Sequence, residues 1–183
     1  LYQNTLMFFT SDNGAAKRFD GIHNSSGVMQ GKKRSLNEGG IRVPMVVRWP
    51  GKIKAGRISS HPWYFPDVMP TFAEIGGVST EVPKDIDGIS ILPTLLDEGE
   101  QKLHEYMFWH YGVRAVRSGK WKGIGKGGHL YLYDLSKDIE EKNDLSSKHP
   151  EIAARMKKYI TIGYREPRSQ KDDGKYTGKG YKN

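Results

Sequence analysis

Two short stretches of this 183-residue chain carry side chains that could act on an anionic group. The first is Asp12-Asn13, within Thr10-Ser11-Asp12-Asn13-Gly14, where a carboxylate stands beside an amide carbonyl. Such a pair suits a hard cation such as calcium, although Ser-Asp-Asn-Gly is equally a good turn. The second stretch begins about twenty residues later with Lys32-Lys33-Arg34 and continues through Glu38-Gly39-Gly40-Ile41-Arg42-Val43-Pro44. It sets three cations ahead of a Gly-rich turn. A compact ammonium aimed at a site that holds a divalent cation would serve sulfate or phosphate, and a basic surface loop would have the same composition.

The elements that must position these residues follow from hydrophobic patterning. Residues 4–10 form a short, continuously apolar run that stops at the Asp12-Asn13 turn, the pattern of a strand buried on both faces. In open α/β sheets the carboxyl edge of such a strand is where ligands bind. A second strand is expected over 41–49, with Pro44 marking its start or an irregularity, and Pro50-Gly51 ending it. Val68, Phe72 and Ile75 fall at helical spacing ahead of Gly76-Gly77, and residues 89–96 predict a shorter helix with Pro93 in its first turn. After about residue 99 the character changes. Four short β-prone runs near 106–109, 114–117, 121–124 and 130–133, the later ones separated by Gly-containing turns, predict a small antiparallel sheet. A last helix is expected from Pro150 to about Ile160.

Composition narrows the chemistry. The chain has no cysteine, which excludes disulfides, zinc–thiolate sites and thiol nucleophiles within it. No apolar run approaches the roughly 18–20 residues of a membrane helix, so no membrane partner is expected. Net charge is +8 with a pI near 9.5, and most of the excess lies beyond residue 100. That balance fits either a lysine-rich solvated surface or attraction to a polyanion. Residues 166–183 form a basic tail rich in Gly, Lys and Tyr that cannot build a core of its own.

The ordered series of motifs resembles the second half of the formylglycine-dependent sulfatases, of the arylsulfatase and N-acetylgalactosamine-6-sulfatase kind, in the alkaline-phosphatase superfamily. It comprises Thr10-Ser11-Asp12-Asn13-Gly14, Lys33, Glu38 through Pro44, Trp49-Pro50-Gly51, Asp67 through Gly77, Asp87-Gly88, Ala115 through Lys122, and Leu132-Tyr133-Asp134-Leu135 through Asn143. The resemblance implies an α/β fold. A partial mixed or parallel sheet with flanking helices would fill residues 1–98, and a small antiparallel sheet packed with one helix would fill 99–165. It assigns Asp12 and Asn13 as calcium ligands and Lys33 as the ammonium that contacts the sulfate group. Glu38 and Arg42 would buttress the turn behind the site. His23 and Arg34, with Trp109 and His110, are further candidates for contact with substrate.

The same resemblance places the formylglycine nucleophile in a Cys/Ser-x-Pro-x-Arg motif. Here the one Ser-x-Pro, Ser60-His61-Pro62, has Tyr64 in place of the arginine. The chain by itself is therefore expected to be inactive, with the nucleophile and the remaining calcium ligands in an absent N-terminal half. The expected partner is a sulfated small molecule or glycan, with self-association possible through exposed sheet edges and no nucleic acid. The expected location is periplasmic or secreted, or lysosomal in a eukaryote. Two alternatives stand beside this reading: a phosphodiesterase or phosphonate hydrolase of the same superfamily, and a noncatalytic polyanion-binding module.

Overall fold

The computed structural model describes residues 2–19 and 22–165, so the basic tail expected over 166–183 lies outside the described residues. The chain divides into two compact units, Leu1–Ser11 with Pro44–Glu105, and Asp12–Val43 with Tyr106–Asn183.

In the first unit, β1 (Met7–Thr10) pairs antiparallel with β2 (Met45–Arg48), Met7 opposite Arg48 and Thr10 opposite Met45. This corrects the expectation of a mixed or parallel sheet, since both sheets among the described residues are wholly antiparallel. The cause is visible in β1. Its continuously apolar run reads as buried on both faces, the habit of parallel strands, but its burial alternates. Phe8 packs edge-on against Phe72 at 5.4 Å and Trp63 at 6.5 Å, while Met7 and Phe9 are exposed beside Val46 on the other face. An apolar run signals burial and not strand direction, and an antiparallel pair needs no crossover helix. β2 also starts later than its sequence suggests, because Glu38–Ile41 coils into a one-turn helix (α1) and Pro44 precedes the first ladder residue.

The helix α2 (Val68–Ile75) follows a one-turn 3-10 helix at Phe65–Asp67. Asp67 is fully buried and fully used. Its carboxylate accepts the Tyr64 N–H at 3.0 Å, the Ile89 N–H at 2.8 Å and a contact from His104 Nε2 at 2.8 Å. The Thr71 hydroxyl donates to the Asp67 carbonyl at 2.6 Å and accepts from the Ile91 N–H at 3.0 Å, which ties α2 to the approach to α3 (Leu92–Leu96).

The second unit is built on a four-stranded meander, β3 (Met107–Tyr111), β4 (Val113–Ser118), β5 (Trp121–Lys126) and β6 (His129–Asp134), in that spatial order. Both faces are covered. Phe108, Val116, Leu130 and Leu132 pack under α4 (Pro150–Ile162) through Ala153, Met156 and Tyr159. Trp109, Ala115, Ile124 and Tyr133 pack on the other face against Leu36 and Ile41. Pairing of Phe108 with Val116, and of Trp109 with Ala115, makes this two-sided division follow from the period of two along each strand. Among the described residues no helix is long and apolar enough to cross a membrane.

Candidate functional site

Within the second unit, the Asp12-Asn13 turn and the Lys33 loop are joined through the backbone. The Gly14 N–H donates to the Gly40 carbonyl at 2.9 Å, and the Lys33 N–H donates to the Ala15 carbonyl at 2.9 Å. Glycine is required where these layers touch. A Cβ on Gly14 would lie 1.9 Å from the Gly39 oxygen, and one on Gly40 would lie 2.1 Å from the Ser35 oxygen. The spacing of Asp-Asn-Gly and Gly-Gly in the sequence is thus the footprint of two chain segments stacked closer than any side chain permits.

Beneath the Gly39-Gly40 turn lies a polar node that holds the loop on the sheet. Lys122, on β5, is completely buried, and its Nζ donates to Glu38 Oε1 at 2.8 Å. The same Nζ is 2.9 Å from Glu141 Oε1, an ion-pair contact off the line of a hydrogen bond. The other oxygen of Glu141 accepts the Glu38 N–H at 2.7 Å, and the Glu141 carbonyl accepts from Gln30 Nε2 at 3.2 Å. One ammonium and two carboxylates, all buried, therefore fix α1 and the preceding loop against the sheet. Burial pushes the nearby Tyr133 phenol up to about 12, and the charge of Glu141 adds to that effect. Arg42 contributes little here, since it reaches Glu38 only at 3.8 Å and its side chain is 55% exposed.

The remaining candidates separate. Asp12, Lys33, His23 and Arg34 are exposed and Asn13 is half-buried. Arg34 has φ +79, in the left-handed region that a branchless residue prefers, so the loop apex is held in a strained form. Trp109 packs into the core under Leu36, whereas His110, the next residue on β3, faces the α4 side and meets Tyr164 edge-on at 5.3 Å. Lys122 is the residue that sequence reading passes over. It stands among surface lysines in the sequence, but it shares a strand face with Ile124, and a lysine in step with apolar residues is the signal that marks it.

The donors present were weighed against calcium. Oxygen ligands are of the right chemistry, but Asp12 and Asn13 offer two side chains where calcium takes about six to eight oxygens. Among the described residues no group of three or more His, Cys, Asp or Glu side chains could hold a metal ion. This chain's residues thus do not make a calcium site by themselves.

The family model of the N-sulphoglucosamine sulphohydrolase C-terminal region matches residues 30–164. The chain is 36% identical over 126 residues to the steryl-sulfatase of Mus musculus, covering 66% of this chain and 20% of that protein. It is 30% identical over 191 residues to an N-acetylgalactosamine-6-O-sulfatase of Bacteroides thetaiotaomicron, covering 87% of this chain and 36% of the relative. The crystal structure of Ps i-CgsB in complex with k-i-k-neocarrahexaose superposes with a TM-score of 0.73 at 31% identity, over 88% of this chain and 37% of that one. The chain thus spans 20% and 36% of the length of the two curated relatives. It belongs to the sulfatase family, as the C-terminal region of a formylglycine-dependent sulfatase of the alkaline-phosphatase superfamily.

Proposed function

We propose that the whole protein hydrolyses sulfate esters of carbohydrates, and that this region supplies electrostatic positioning at the reaction centre. The observation that carries the reading is the pair of backbone hydrogen bonds, Gly14 to Gly40 and Lys33 to Ala15, that holds the Asp12-Asn13 turn beside the Lys33 loop. The names of the relatives, steryl-sulfatase and N-acetylgalactosamine-6-O-sulfatase, support a sulfate ester, and the neocarrahexaose bound to Ps i-CgsB supports a carbohydrate. In this reading Asp12 and Asn13 give two of the oxygen ligands to calcium, and the other ligands come from outside these residues. Lys33 donates hydrogen bonds to the sulfate oxygens and stabilises the charge that grows as the ester bond breaks. His23 and Arg34, on the same loops, contact the alcohol part of the substrate.

The nucleophile is a formylglycine from a Cys/Ser-x-Pro-x-Arg segment that these 183 residues do not contain, so the chain alone is inactive. The protein acts in the periplasm or outside the cell, or in the lysosome of a eukaryote. The test is turnover of matched aryl sulfate and aryl phosphate esters by the whole protein. Faster turnover of the sulfate is expected; preference for the phosphate, or no turnover of either, contradicts the proposal.

A further inference from the structure

The second unit also carries a groove on the α4 face of its sheet, the face opposite the Glu38–Lys122–Glu141 node. Its larger part has a volume of about 670 Å³ and is bounded by the β3–β4 turn, the glycine-rich β5–β6 turn and the end of α4. That size falls within the roughly 300–1,000 Å³ of small-ligand sites. A second hollow of about 330 Å³ shares His129, Leu130 and Lys157 with it and continues along α4 past Ser146 and Ser147. The two together make an elongated trough and not a hole for a single ion.

The charge in this trough is one-sided. Arg114, Lys126 and Lys157 line it together with His110, His129 and Tyr164, and no carboxylate is among the described lining residues. Asp144, which pairs with the lining residue His129, is engaged by His129 Nε2 at 2.8 Å, the Leu132 N–H at 3.0 Å and the Ser146 N–H at 2.9 Å. Arg114 is held in place, its guanidinium stacked 3.4 Å above the Tyr164 ring while His110 meets the same ring edge-on. Stacking fixes the plane of the guanidinium and leaves its N–H edges for an acceptor. Among the described residues, neither Arg114 nor Lys126 nor Lys157 forms an ion pair. Three cations gathered from β4, β5 and α4 around a trough with no acid among its described lining residues form a receptor for a ligand with several separated anionic groups.

The geometry points to a binding groove for a sulfated oligosaccharide, with Arg114, Lys126 and Lys157 each receiving an anionic group along its length. The choice of sulfate rests on the function proposed above; the anionic character of the ligand rests on the groove alone. A nucleic acid fits less well, because among the described lining residues the Tyr164 ring, the one Phe, Tyr or Trp, is already covered by Arg114.

The experiment is calorimetric titration of the whole protein with a heparin-derived tetrasaccharide, its desulfated counterpart, and a single-stranded oligonucleotide of equal charge, at two salt concentrations. Lys126 and Lys157 are exposed, so the double variant Lys126→Glu/Lys157→Glu tests the groove without touching the core. Arg114→Gln, checked by thermal melting, is the second variant. Binding of the sulfated tetrasaccharide, loss of binding on desulfation, and weakening on the order of tenfold or more in the double variant with a shallower salt dependence are expected. Absent binding, equal affinity in the double variant and Arg114→Gln, or tighter binding of the oligonucleotide overturns the assignment. Turnover of an aryl sulfate by the unsubstituted protein, measured in parallel, shows separately whether the catalytic reading holds.

Discussion

Each of the two units holds a charged residue with no exposed surface, Asp67 in the first and Lys122 in the second, and the two differ in how that charge is satisfied. In the first, the Asp67 carboxylate is met by two backbone N–H groups and His104, which pins the start of α2 to residues 89 and 104. In the second, the Lys122 ammonium is met by two carboxylates, from Glu38 and Glu141. Backbone donors are present whatever the neighbouring side chains are, so the first node is a local cap extended by two long-range contacts, from Ile89 and His104. The second node consists of three side chains in contact, in which removing Lys122 leaves two buried carboxylates without their counter-charge and removing either carboxylate takes one of the ammonium's two partners. That dependence is placed under the loop that carries Lys33, which makes the candidate site hostage to a salt bridge far from it in sequence.

The sharpest way to break this contrast is Lys122→Met, which keeps much of the volume and leaves Glu38 and Glu141 facing each other. We expect a loss of roughly 3–5 kcal/mol in the whole protein, measured by chemical denaturation. Asp67→Asn is expected to cost less, about 1–3 kcal/mol in the same measurement, because an amide oxygen still accepts one N–H while the other donors lose their partner. Equal costs would remove the distinction between the two nodes.

Acid sharpens it further. Burial raises the Asp144 carboxyl, but hydrogen bonds from His129, Leu132 and Ser146 outweigh that and hold it at about 2. Because the folded value lies below the ordinary carboxylate value, its contribution is present above about pH 4 and is lost as pH falls toward 2. A denaturation series between pH 5 and pH 2 should therefore show a stability slope that is shallower in Asp144→Asn. The smallest effect belongs to Arg42→Ala. The contact is long and the Arg42 side chain exposed, so the change should stay under about 1 kcal/mol.

How much of this could be read from the sequence depends on the distance between interacting residues. The helices at 68–75 and 150–162 and the four-stranded meander announce themselves, because periodicity, proline and glycine act locally. Asp12-Asn13 and Lys33 are singled out by resemblance to the family's motifs, since their chemistry and spacing alone read equally as a turn and a basic surface loop. Strand direction in β1 could not be read, since Met7-Phe8-Phe9 reads alike in either orientation and the register with Val46 and Val47 depends on the fold. The Lys122 node was hidden for a related reason. Its partners lie at Glu38 and Glu141, and nothing near Trp121-Lys122-Gly123 in the chain hints at an acid, although the step of two to Ile124 places the lysine on an apolar face.

The central claim is that Lys33, held beside the Asp12-Asn13 turn, acts on the sulfate group. The most direct measurement is kcat/KM for an aryl sulfate with the whole protein and its Lys33→Ala variant, alongside thermal melts. Lys33 is exposed and only its backbone N–H bonds to Ala15, so the fold should be unchanged while kcat/KM falls about 100- to 1,000-fold. A variant that folds normally and keeps kcat/KM within about twofold of the parent contradicts the account.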